Sequence, residues 1–309
     1  QAFSIENINR PVNITQSKYL GEDCLASVQL FATTLEDMQF ADSLINNIAS
    51  HPLSVYFCFS PVRYVPFQDL SCNHKQDQTI RCDESYWQSM AEEIDSRYLG
   101  IILPKGGANV HLGILYLDRR DTVQVFAHEL SHLLGFVDEY PLPQAHAKCD
   151  AWQSEMFAHN IAVIQGKPHR DKAQLRQQLL KQIPWSGQIK RTTPILHETE
   201  NGWGLGTPDK FNDQIGLFVA DTCQGREVQA YKPVAKSTQL NYFELDFPLA
   251  YLELLNERPK KYRMPSFHYN IAFSLFEHGQ VEQAKYWLIQ AAKHETGINK
   301  KAKILKGEF

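Results

Sequence analysis

Within "VQVFAHELSHLLGFVDEYP" (Val123–Pro141), two histidines stand four residues apart, with a glutamate directly after the first. On a helix, His128 and His132 leave the same side one turn apart, so both imidazoles can converge on one ion. Glu129 lies about 100° round the same helix, which lets it reach a metal-bound water rather than the metal. It would then accept that water's proton as general base. A bland alternative is an amphipathic helix that carries histidines by chance. The capped, strand-preceded setting of the motif argues against that.

A catalytic zinc takes three protein ligands and keeps a fourth position open. Gly135 falls where the helix should end, and a glycine can adopt the left-handed conformation that stops it. The chain can then swing back, making Asp138 the candidate third ligand and Zn2+ the implied cofactor. Glu155 and Glu139 remain alternatives. The other histidines, including His111, His146, His159 and His268, lack ligand spacing and read as structural.

The elements around this motif must position it. Thr34 caps an expected helix over "LEDMQFADSLINNIAS", closed by Pro52. "LSVYFCFS", "RYLGIILP" and "ANVHLGILYLD" read as strands, the second of them buried. Asp121, with Gln124 three residues on, would cap the motif helix. "CDAWQSEMFAHNIAV" and "DKAQLRQQLLKQI" look helical, and Pro184 to Tyr231 looks irregular and loop-shaped. "PSFHYNIAFSLFEHGQVEQAKYWLIQAAK" resembles a single tetratricopeptide repeat, with Gly279 at its turn.

These elements sum to an α+β chain. A mixed sheet and an active-site helix would occupy residues 1–260, with a helical hairpin at 261–309 packed on that body. At 309 residues with a net charge of −4, nothing suggests a nucleic-acid partner. No apolar run approaches the ~20 residues of a membrane span. The terminal lysines Lys300, Lys301, Lys303 and Lys306 read as a solvated face. Six cysteines without a C-x-x-C pair suit three disulfides in an exported protein, with one bridge closing the loop between Cys72 and Cys82. The chain begins at Gln1 with no signal peptide, as removal of an export signal would leave it. The expected localisation is secreted or periplasmic.

H-E-x-x-H-x-x-G-x-x-D resembles the metzincin metallopeptidases, with Asp138 in the place of their third histidine. "DEY" (Asp138, Glu139, Tyr140) and "IGLFVADTCQGREVQAYKPVAKSTQLNYFELDFPLAYLELL" are more closely similar to the bacterial IgA-cleaving metallopeptidase family. The likeness runs in patches between residues 95 and 255. It implies a zincin-like fold, a peptide or protein substrate, and an endopeptidase using zinc held by His128, His132 and Asp138. Leu240 would stand where that family's methionine floors the metal, with Met156 as a competing candidate. Tyr242, two positions on, would steady the oxyanion. In such folds an edge strand like "ANVHLGILYLD" pairs with extended substrate. A reading from another class is a catalytically silent zincin-fold binding protein that recognises partners through its helical hairpin.

Overall fold

The computed structural model describes residues 24–73, 80–144, 146–149, 155–165, 171–200 and 202–309. Its first half alternates strands and helices: β1 (Ala26–Ala32), α1 (Leu35–Asn47), β2 (Phe57–Tyr64), β3 (Tyr98–Leu103), β4 (Asn109–His111), β5 (Ile114–Asp118) and α2 (Val123–Leu133). Short pieces follow: β6 (Ala162–Ile164), α3 (Lys172–Leu180), β7 (Leu196–Thr199), β8 (Gly202–Leu205), β9 (Phe218–Ala220) and β10 (Gln229–Lys232). The chain closes with α4 (Leu249–Glu257), α5 (Phe267–Glu277), α6 (Val281–Lys293) and α7 (Ile298–Lys306). This is a mixed α+β protein.

The main sheet has the order β2-β1-β3-β5-β4. Four of its strands run parallel, and β4 is an antiparallel edge. Because side chains alternate across a strand, β3 serves two cores. Tyr98 and Ile102 join α1 and α2 on one face. Leu99, Ile101 and Leu103 join Trp87 and the inner sides of α5 and α6 on the other. Burial on both faces explains why "RYLGIILP" reads as one apolar run. It also makes the C-terminal helices part of the same core as the sheet, with α7 added beyond the hairpin.

Thr34 caps α1 as expected, its hydroxyl accepting from Asp37 N–H. Other local expectations need correction. Thr122, not Asp121, caps α2, and Asp121 instead accepts from the Asp118 amide. "LSVYFCFS" begins with a 3-10 turn over Pro52–Tyr56 before β2 starts. "ANVHLGILYLD" is a hairpin, β4 and β5 joined at Leu112 and Gly113 with φ of 44° and 91°. Such a two-residue turn needs positive φ at both positions. For a leucine this costs roughly 1–2 kcal/mol. The apolar pocket formed by Tyr269, Ala291, Ala292 and Ile304, into which Leu112 packs, offsets the strain.

"CDAWQSEMFAHNIAV" is not helical where it is described. Residues 155–161 are irregular and Ala162–Ile164 form β6, paired with β10. Residues 150–154 lie outside the described residues. "DKAQLRQQLLKQI" does form a helix, α3. Lys300 is also not solvated: only 14% of its side chain is exposed, and it pairs with Glu295 at 3.5 Å.

All six cysteines are paired: Cys24–Cys58, Cys72–Cys82 and Cys149–Cys223. Three disulfides fit an oxidising, extracytoplasmic setting. Among the described residues, no helix is long and apolar enough to cross a membrane.

Candidate metal centre

Helix α2 buries Phe126, Ala127, Leu130 and Leu133 in the core and brings His128 and His132 to the Gln239 and Phe136 carbonyls. The helix stops at Gly135, whose φ is 96°. A Cβ there would lie 2.4 Å from Tyr262 O, so the position admits glycine alone. Beyond it, Asn160 clips the returning chain. Its side-chain amide donates to Val137 O at 2.8 Å, and its Oδ1 accepts from Val137 N–H at 3.0 Å. That two-way clip delivers Asp138 to the histidines.

Asp138 Oδ1 lies 3.0 Å from His128 Nε2 and 3.3 Å from His132 Nε2, and the two Nε2 atoms are 3.1 Å apart. The far nitrogen of each ring is committed. His128 Nδ1 sits 3.0 Å from Gln239 O, and His132 Nδ1 sits 3.1 Å from Phe136 O. A main-chain carbonyl only accepts, so both Nδ1 atoms carry hydrogen, and in the neutral rings both Nε2 atoms present lone pairs. With both rings neutral, three lone-pair atoms meet in a closed triangle, a place that a proton on His132 can also fill. Asp138 Oδ1 is buried and accepts no hydrogen bond.

Charge behaves as that geometry requires. Burial would lower the His132 imidazole, but the Asp138 carboxylate outweighs it and raises the group to about 9. Burial would raise Asp138, yet the His132 and His128 imidazoles hold it well below the usual carboxylate range. The trio favours positive charge at its centre. Ligand atoms around a four-coordinate cation with ~2.0–2.1 Å bonds stand about 3.3 Å apart, close to the triangle's edges. The residues present fit such an ion.

Glu129 adds a carboxylate within 4.8 Å of both imidazoles. Asp138 Oδ1 faces both rings directly, at 3.0 and 3.3 Å, with Glu129 to the side. Burial pushes the Glu129 carboxyl above its ordinary value, against the pull of His132 and His128. Two aromatic rings wall the site. Phe243 meets His128 edge-on at 4.7 Å, and Tyr140 stacks on it at 6.3 Å.

The rival ligands go elsewhere. Glu155 is an exposed partner of Lys303. Glu139 is fully buried and accepts from Lys232, Thr238, Asn160 and Tyr251. Leu240 is buried in the core, in a turn closed by Asn241 N–H donating to Thr238 O at 2.9 Å. Met156 lies beside Glu155 and not in that turn. Tyr242 is 62% exposed, and neither a hydrogen bond nor a ring contact joins its side chain to the trio.

Sequence reasoning missed Gln239, Phe243, Lys232, Tyr251 and Asn160, none of which follows a motif spacing. Comparison with known proteins finds no family model, curated protein or solved structure that matches this chain.

Proposed function

We propose that the chain is an exported zinc-dependent endopeptidase of the metzincin type, acting on peptide or protein substrates. The observation that carries this reading is the close triangle of His128 Nε2, His132 Nε2 and Asp138 Oδ1, with Glu129 beside it. His128, His132 and Asp138 would hold the ion. Bound zinc supplies Lewis acidity, polarising an amide carbonyl and lowering the pKa of water toward ~7.

The chain's own groups do the remaining work. Glu129 takes the proton from the water that attacks the scissile carbonyl. As the carbon–nitrogen bond breaks, Glu129 passes that proton to the leaving amine. Phe243 and Tyr140 restrict solvent at the reacting carbonyl, and β4 offers an edge along which an extended peptide can pair. Support for a silent binding protein working through its hairpin is weaker, since the inner sides of α5 and α6 are buried against the sheet.

The test is metal analysis beside a casein or peptide-library assay, with and without chelator. Glu129→Gln should retain one zinc and lose at least ~100-fold in turnover, the scale of general-base catalysis. Equal turnover by wild type and mutant would end this mechanism.

A further inference from the structure

We infer that His51 and Gln239 form a positioning relay that aims the imidazole of His128. His51 precedes the 3-10 turn Pro52–Tyr56, where its Nδ1 accepts from Leu53 N–H at 3.2 Å. A neutral imidazole has one donor and one acceptor, so its Nε2 carries the hydrogen. That nitrogen donates to Gln239 Oε1 at 2.9 Å. The Gln239 amide is thereby oriented, and its Nε2 donates to Gln124 O, in the first turn of α2, at 3.1 Å. With its side chain held at both ends, the residue presents its main-chain carbonyl to His128 Nδ1 at 3.0 Å. Gln239 is 1% exposed, and the His51 ring rests edge-on against Phe247 at 6.2 Å.

Each bond in the relay therefore has a fixed donor: His51 donates to Gln239, the Gln239 amide donates to Gln124 O, and His128 Nδ1–H donates to the Gln239 carbonyl. The relay fixes the His128 tautomer and ring angle from outside the helix that carries it. Hydrogen-bond partners of metal-binding histidines typically contribute 10–100-fold in metal affinity. The inference rests on His128 being a metal ligand, and its test separates the two.

The diagnostic variant is His51→Asn. Asparagine still caps the Pro52–Tyr56 turn by accepting from Leu53 N–H, but it is too short to reach Gln239. Zinc affinity, measured by competition with a chromophoric chelator, should fall about 10-fold or more in His51→Asn and equally in His51→Ala. In Gln239→Leu the loss should be no smaller, and adding His51→Asn to it should cost nothing further. Affinity within twofold of wild type in a folded His51→Asn, or fully additive losses, overturns the relay. Should His51→Asn not fold, Gln239→Leu alone decides by the same criterion.

Wild-type protein that binds no zinc would refute the peptidase reading, and the relay would still be measurable. The His128 Nδ1–H resonance of the metal-free protein should exchange slowly in wild type and rapidly in His51→Asn. Equal exchange would refute the relay.

Discussion

Asp138 Oδ1 faces two imidazole nitrogens at 3.0 and 3.3 Å and accepts no hydrogen bond. Glu139, the next residue, takes the Lys232 ammonium at 2.7 Å, the Thr238 hydroxyl at 3.0 Å, the Asn160 amide at 3.2 Å and the Tyr251 hydroxyl. Both carboxylates are shielded from water. Glu139 is neutralised by a lysine, whereas Asp138 faces two imidazoles, one of them raised to about 9, that can take up either a proton or, as proposed, a metal ion. Burying a charge is tolerable only when it is paired and hydrogen bonded. The Glu139 cluster is therefore satisfied by hydrogen bonds within the chain, whereas the proposed function assigns an ion to the trio. The cluster also serves the trio, because Glu139 N–H donates to Leu240 O at 2.9 Å and ties the Leu240 turn to the returning chain.

The comparison is best broken at its structural half. Glu139→Leu strands Lys232 in the interior and should cost about 3–5 kcal/mol in chemical denaturation, metal-free. A loss under ~1 kcal/mol would mean that Lys232 finds other neutralisation. The metal half should behave oppositely. Zinc at a thousandfold excess over its dissociation constant should raise wild-type stability by about 4 kcal/mol. Asp138→Asn should abolish most of that rise and Glu155→Gln none of it. If the two variants respond alike, Asp138 is not the third ligand.

Smaller effects sharpen the link between the halves. Gly135→Ala places a methyl against Tyr262 O at positive φ and should cost about 2 kcal/mol. Because the strain lies at the hinge that returns Asp138, zinc affinity should fall with it. An alanine variant as stable as wild type would show that the hinge is not rigid. Leu240→Met exchanges side chains of similar volume at a buried core position that the proposed function would place under the ion. It should change stability by less than ~1.5 kcal/mol and leave zinc affinity unaltered. A larger shift would mean that this position does more than pack.

The site was legible in the sequence where local rules hold. The histidine spacing, the glycine stop and the return to Asp138 all lie between His128 and Asp138, within reach of helix periodicity and capping chemistry. The Thr34 cap and the Cys72–Cys82 closure are equally local. Expectations failed where distant partners overrode propensity. The stretch around Met156 looked helical, but β10 recruits Ala162–Ile164 as a strand and Val137 claims Asn160. The β4–β5 turn was invisible because leucine rarely takes positive φ, and only the pocket between the C-terminal helices makes it tolerable.

By itself, the sequence determined that two imidazoles share a helix face with a carboxylate about 100° to one side, since 3.6 residues per turn leaves no other arrangement on a helix. Only the tertiary structure decided which acid completes the trio and what aims the rings. Gln239 meets His128 across 111 residues, and Tyr251 meets Glu139 across 112. Contacts of that separation depend on which elements share a core, and no local spacing encodes them.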